Sequence, residues 1–379
     1  MVKSKIFIKL QSVHRIPHSF LITDRVKSHT MKRVVVGMSG GVDSSVTAHL
    51  LKEKGYEVIG LFMRNWEDID GACPAVVDEE DVAQVCHKLD IPFYTVNFTK
   101  EYWDLVFTEF LEGLKKGVTP NPDILCNQKI KFDHFYKKAR DLGADFLATG
   151  HYARTNEEGE LLRAADENKD QTYFLYTVKK EVLKHVLFPL GDLQKSEVRE
   201  IARKANLPVA EKKDSTGICF IGKRDFRTFM KEYLPMKPGK IVDLDGKTLG
   251  NHEGAFFYTI GQRKGLGIGG PGDPWFVIGK NIDKNHVIVA QGHAHPSLLS
   301  NHLTFGDITW VDDMPPEKCT AKVRYRTPDV SCTFQGKSAL FDPAVWAATP
   351  GQSIVFYDKE KCLGGGIIEK ASQISHALV

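Results

Sequence analysis

Two rhythms of apolar and polar positions divide the chain. In the first half, short continuous apolar runs such as Val34-Val35-Val36 predict buried strands at 33–38, 57–63, 92–98 and 145–149. Between them, apolar residues recur every three to four positions. That spacing predicts helices over 43–54, 78–89, 100–116 and 130–142, the last with Phe132, Phe135, Ala139 and Leu142 on one face. Strands alternating with helices imply a doubly wound parallel sheet, α/β in class, covered on both faces. Ligands of such sheets sit at the carboxyl ends of the strands. Three segments end there: Gly37–Ser45, Met63–Trp66 and Thr149–Tyr152. All three are expected around one pocket.

Residues 166–210 read as helical, most clearly at 179–187 and 195–205. After about Pro235 the rhythm changes to glycine, proline and short alternating runs. Strands are expected at 240–244, 255–260, 276–278, 286–290, 321–325, 353–357 and 366–369. That style predicts two small β-rich or β-barrel domains. The division expected is a basic extension 1–30, an α/β domain 31–225, a central β domain 226–296 and a C-terminal barrel 297–379. The run Gly265-Leu266-Gly267-Ile268-Gly269-Gly270 matches a dinucleotide fingerprint in letters only. Pro271, Gly272 and Pro274 forbid the helix that must follow, so it reads as a flexible loop.

Composition adds bounds. With 379 residues, 42% hydrophobic and 26% charged, the chain is an ordinary globular one of two or three domains. No apolar stretch approaches the roughly 18 residues of a membrane helix, so no membrane role is expected. The seven cysteines form no CxxC pair, which argues against a zinc site or disulfide framework and for a reducing compartment. Residues 1–30 hold six basic residues against Asp24 alone, more than the whole net charge of +3. They read as a transit peptide, an adaptor tail or a leader ahead of a start at Met31, so a cytoplasmic place and a mitochondrial or other organellar one both stand.

The chemistry concentrates at Gly37-Met38-Ser39-Gly40-Gly41-Val42-Asp43-Ser44-Ser45, between a strand and a helix. Such a turn aims free backbone N–H groups and the positive end of a helix dipole at one point. It should hold a phosphate. The Walker loop needs a lysine, and none lies between Lys32 and Lys52. Asp43 could carry Mg²⁺, or serve as a helix-start charge in a packing turn. Cys126 follows Thr119-Pro120-Asn121-Pro122-Asp123, just ahead of the expected helix and near Lys129 and Lys131. A reactive thiolate and a buried filler with Asp123 as helix cap both fit. Cys219, within Ile218-Cys219-Phe220-Ile221, reads on local evidence as a buried strand residue. Lys115, Lys116, Lys129, Lys131, Lys137, Lys138 and Arg140 form one basic run. Lys322, Arg324 and Arg326 alternate as on one face of a strand. Each alone is an ordinary solvated face; together they suit an RNA backbone.

The SGGVDS piece resembles the PP-loop ATP pyrophosphatases, which are adenine nucleotide alpha hydrolase-like in fold. Further pieces resemble the tRNA-specific 2-thiouridylase family: GLFMRNW at 60–66, TPNPDILCNQKIKF at 119–132, ATGHYAR at 148–154, KDQTYFL at 169–175, DSTGICFIG at 214–222, YTIGQRKGLGIGG at 258–270 and PGQSIVFY at 350–357. The resemblance runs from about Met31 to Glu369. It implies ATP-dependent adenylation of the C2 oxygen of a wobble uridine in tRNA, then its replacement by sulfur. Gly37, Met38, Ser39, Gly40, Gly41, Val42, Asp43, Ser44, Met63 and Gly150 would then bind ATP. Asn121, Pro122 and Asp123 would meet the target base in the anticodon loop, with Asp123 as acid or base. Cys219 would carry a persulfide from a sulfur-relay protein. Cys126 would release the sulfur and end in a disulfide with Cys219, which requires Cα atoms roughly 4.4–6.8 Å apart and so a rearrangement of the Cys219 loop. His151, Lys169, Asp170, Gln171, Arg324, Tyr325, Arg326 and Gln352 would touch tRNA. The competing expectations are an adenylating synthetase for a small metabolite and a non-catalytic RNA-binding protein; neither needs both cysteines.

Overall fold

The computed structural model describes residues 31–67, 75–214, 225–312 and 314–373. Its first sheet holds β1 (Arg33–Met38), β2 (Glu57–Arg64), β3 (Phe93–Asn97), β4 (Phe146–Ala148) and, further on, Val186–Leu187. The order is β3-β2-β1-β4 with Val186–Leu187 at the far edge, and every pairing is parallel. The continuous apolar run of β1 has a direct cause. Val34, Val36 and Met38 face a core built with α1 (Val42–Glu53), α2 (Ala75–Lys88) and the helix Lys195–Lys204. Val35 faces the opposite core, with Phe132, Phe135 and Ala139. A strand covered on both faces needs no polar alternation.

Four expectations are corrected. Within 179–187 the helix is only Lys180–Leu183, and Val186–Leu187 pairs with β4 instead. Two apolar residues, Val186 buried and Leu187 partly so, are too short a signal for either period to show. The stretch at 255–260 is a 3-10 turn, Ala255–Phe257, whose apolar side chains reach the core through a turn rather than a pleat. The strand at 321–325 stops at Lys322. The helix expected from residue 130 starts earlier, at Pro122: Pro122–Cys126 runs into a π-helical stretch Asn127–Phe135 and then Tyr136–Asp141. Its start is set by Asn121, whose side chain accepts from the N–H groups of Asp123 and Ile124 at 3.2 and 3.3 Å, followed by Pro at the first helical position.

Two further sheets follow. One has four strands, Gly239–Val242, Thr248–His252, Trp275–Asn281 and His286–Gln291. The other closes into a barrel, because Leu299–Trp310 pairs with both Ser338–Trp346 and Lys361–Ser372. The hairpin Arg154–Thr155 and Leu161–Leu162, from the first half of the chain, is added to this sheet through Cys362↔Leu161. No helix among the described residues is long and apolar enough to cross a membrane.

Candidate functional site: a phosphate loop, its ion network and a cysteine helix

Between β1 and α1 the backbone turns at Gly40, with φ of 69°. An added Cβ there would lie 2.6 Å from the Asp78 carbonyl oxygen, so conformation and space both demand glycine. Hydroxyls hold the loop's shape. Ser44 Oγ accepts from the Ser39 N–H at 3.1 Å, and Ser45 Oγ donates to the Gly41 carbonyl at 2.8 Å. Gly41 caps α1 with no side-chain bond to its first-turn N–H groups. The helix therefore presents uncapped donors and the positive end of its dipole, which is what an anion needs. Gly150, after β4, packs against this turn; a Cβ would lie 2.8 Å from the Ser44 nitrogen. Of the three expected segments, Gly37–Ser45 and Thr149–Tyr152 thus meet. Met63 lies on the neighbouring strand β2, packed between two cores. Trp66 instead joins an aromatic cluster with Trp103, Phe107 and Phe229.

An ion network spreads from Asp43. Its Oδ1 accepts from the Tyr152 hydroxyl at 3.0 Å and from Lys195 Nζ at 2.6 Å. Lys195 also lies 2.9 Å from Asp214 Oδ1, and Asp214 takes further bonds from Lys169 at 2.8 Å and Arg199 at 2.6 Å. Burial works against the Asp214 charge, but the bonds from Lys169 and Lys195 override it and hold the carboxyl at about 2. Lys212 Nζ bonds the Gly40 carbonyl at 2.9 Å, Asp78 at 2.7 Å and Asp81 at 2.6 Å. Burial opposes its charge, yet those carboxylates raise its pKa. The segment 212–214 is thereby clamped to the phosphate loop and to α2. Burial and the neighbouring Asp43 push the Tyr152 hydroxyl pKa up, so it stays a donor.

Cys126 is 1% exposed and sits at the end of the Pro122–Cys126 helix, not ahead of a helix start as the sequence suggests. Asn121, rather than Asp123, is the cap. The adjoining Asn127 donates to the Phe174 carbonyl at 2.9 Å. The C-terminal barrel reaches this loop: Gln352 Nε2 donates to the Thr119 carbonyl at 2.6 Å, and the Thr119 N–H donates to the Pro350 carbonyl at 2.9 Å. Cys219 lies outside the described residues, as does its expected approach to Cys126.

The family described as tRNA methyl transferase HUP domain matches residues 32–223. Its PRC-barrel domain matches 227–291, and an aminomethyltransferase beta-barrel domain matches 300–368. The tRNA-specific 2-thiouridylase MnmA 2 of Geobacillus kaustophilus is 56% identical over 351 residues, 89% of this chain and 95% of that protein. The tRNA-specific 2-thiouridylase MnmA of Bacillus subtilis is likewise 56% identical, over 89% of this chain and 95% of its own. The chain belongs to the tRNA-specific 2-thiouridylase family. Its architecture is the family's: a parallel-sheet PP-loop domain, a PRC-barrel domain and a β-barrel domain. Among solved structures, the U34-tRNA thiolase NcsA from Methanococcus maripaludis has a TM-score of 0.34 and 20% identity, covering 53% of this chain and 63% of its own.

As a 2-thiouridylase, the protein places its expected tRNA contacts unevenly. Arg326 is exposed, with its guanidinium 5.2 Å from the Tyr325 ring, and Tyr325 leans on Phe174 at 4.5 Å. Arg324 is turned inward. It donates to the Ile260 carbonyl at 3.1 Å and lies over Trp346, and burial lowers its pKa. The single solvated face of Lys322, Arg324 and Arg326 is therefore corrected, because the chain leaves the strand at Lys322 and turns. Asp170 is 4% exposed, accepting from Ala164 N–H at 3.0 Å and the Thr172 hydroxyl at 2.8 Å. Gln171 Oε1 accepts from the Tyr152 N–H at 2.9 Å, and Lys169 is tied to Asp214. His151 pairs with Thr149 at 2.8 Å; burial, then the Lys131 charge, hold its pKa well below the usual range. Of the basic run, Lys115, Lys116, Lys137, Lys138 and Arg140 are exposed, with Lys137 paired to Asp133 at 2.6 Å, and Lys129 pairs with Glu109.

Sequence reasoning passed over Lys195, Arg199 and Lys212. One signal was present for Lys195. Gln194 and Glu197 form a capping box that makes Lys195 the first residue of its helix. A cation there opposes the helix dipole, so its place must be held by partners elsewhere.

Proposed function

We infer that the protein is an ATP-dependent tRNA-uridine 2-sulfurtransferase, and we propose the following roles for its residues. The uncapped α1 start behind Gly40 and Gly41 carries the nucleotide half of the reading. The C2 oxygen of the uridine attacks the α-phosphorus of ATP, pyrophosphate leaves, and the base is left as an O-adenylate. A carbonyl oxygen leaves poorly, but as AMP it leaves readily. The terminal sulfur of a Cys219 persulfide then attacks C2 and AMP departs. The Cys126 thiolate attacks the Cys219 sulfur, forming a Cys126–Cys219 disulfide and releasing 2-thiouridine. Asp123, two residues after the helix cap, would move a proton on the base. Burial of Cys126 favours this reading over a general surface thiol, since the base must leave its stack to reach it.

Mg²⁺ fits the donor set. Asp43 offers one carboxylate, and such ions use one or two carboxylates together with substrate phosphates. When bound, the ion would neutralise phosphate charge. Exposed Lys115, Lys116, Lys137, Lys138 and Arg326 would meet the tRNA backbone. A persulfide-donating protein supplies the sulfur, in the cytoplasm. The test incubates protein, tRNA, ATP, Mg²⁺ and a persulfide donor, then analyses nucleosides. The expected product is 2-thiouridine, lost in Cys126→Ala and Cys219→Ala. Full activity in either variant would overturn the sulfur roles.

A further inference from the structure

The lysine that the phosphate loop lacks in sequence is supplied in space by Lys195. This residue belongs to no motif of the loop; it comes from a helix more than a hundred residues later. As the first residue of that helix its charge is placed against the dipole. Two carboxylates hold it, Asp43 at 2.6 Å and Asp214 at 2.9 Å, and the side chain is only 12% exposed. Asp43 is the second residue of α1, so the ammonium stands beside the first turn whose N–H groups await an anion. The other cations of the network are directed elsewhere: Lys169 and Arg199 to Asp214, Lys212 to the Gly40 carbonyl and the acids of α2. Among the described residues, Lys195 is therefore the cation that touches the carboxylate of the loop itself. Without it, Asp43 would repel a polyphosphate approaching those donors.

The ammonium has three donors. Asp43 and Asp214 take two, and the Tyr152 ring lies 5.7 Å away. We propose that Lys195 is a phosphate-binding residue of the adenylation site, contacting the phosphates of ATP and of leaving pyrophosphate while it balances Asp43. This rests on the reading that the Gly37–Ser45 loop holds ATP.

The test uses the full chain, with pyrophosphate and ATP as probes and Lys195→Met, Lys195→Arg and Arg203→Ala as variants. Arg203 is a surface partner of Glu211 and serves as control. Titration calorimetry gives the affinity for pyrophosphate, and tRNA-dependent pyrophosphate release gives kcat and KM for ATP. A lost charged hydrogen bond predicts that Lys195→Met weakens pyrophosphate binding about tenfold or more and raises KM for ATP alike. Lys195→Arg should recover part of both, and Arg203→Ala should match the wild type. A Lys195→Met protein that melts lower but keeps wild-type pyrophosphate affinity and KM would make Lys195 a structural brace and overturn the proposal. Wild-type protein that binds neither probe would instead remove the phosphate-loop reading on which it rests.

Discussion

Gly40 shows how much one position decides. Its φ of 69° is the left-handed region, and its missing Cβ is where the Asp78 carbonyl comes within 2.6 Å. Gly40→Ala should cost about 1–3 kcal/mol and nearly abolish pyrophosphate release, checked by urea unfolding beside the turnover assay. Unchanged turnover would mean that the loop's shape is not what holds the nucleotide. Asp214 makes a second case. Its carboxyl stays ionised in the fold down to about 2, against about 3.9 for an unfolded aspartate. Its contribution to stability is therefore complete above about pH 4 and is lost as the pH falls towards 2. The gap in urea midpoint between wild type and Asp214→Asn should be widest above about pH 4 and shrink below it. A gap that does not change with pH would mean that the charge of Asp214 adds nothing.

At the scale of elements, the helix that carries Cys126 is positioned from both ends. Asn121 caps its start, and the turn at Pro350–Gln352 bonds Thr119, two residues before that cap. Gln352 was expected as a tRNA contact; here its amide is spent on the Thr119 carbonyl. Gln352→Ala should loosen the Cys126 loop by about 1 kcal/mol, the net value of one hydrogen bond. Alkylation of Cys126 by iodoacetamide, followed by peptide mass, should then quicken several-fold. An unchanged rate would show that the barrel turn does not restrain the loop. The start of this element was open to sequence reading, since Asn followed by Pro is a helix-start signal. Its π-helical middle was not, because the non-helical angles at Phe132 come from packing against the sheet rather than from any local preference.

The whole molecule is more interlocked than its three family segments suggest. Leu161, Tyr173 and Tyr176 share one core with Val355, Tyr357 and Cys362 of the barrel. The hydroxyls of Tyr173 and Tyr176 reach Ser353 at 2.9 and 3.0 Å. A chain ending at residue 296 would expose these large side chains, at roughly 1.5–3 kcal/mol each, against a total stability of about 5–15 kcal/mol. It should aggregate or melt far below the full chain by circular dichroism; a soluble fragment with wild-type ATP affinity would refute the shared core. The alternation of strands and helices, the glycine loop, the two cysteine motifs and the β-rich second half were all legible in order along the chain, because each is a local pattern of period, turn and spacing. Lys195 beside Asp43, Lys212 on the Gly40 carbonyl, Gln352 on Thr119 and the early hairpin joined to the late barrel were not. Each pairs residues more than a hundred positions apart, and which distant charges meet is settled only when the apolar faces have packed.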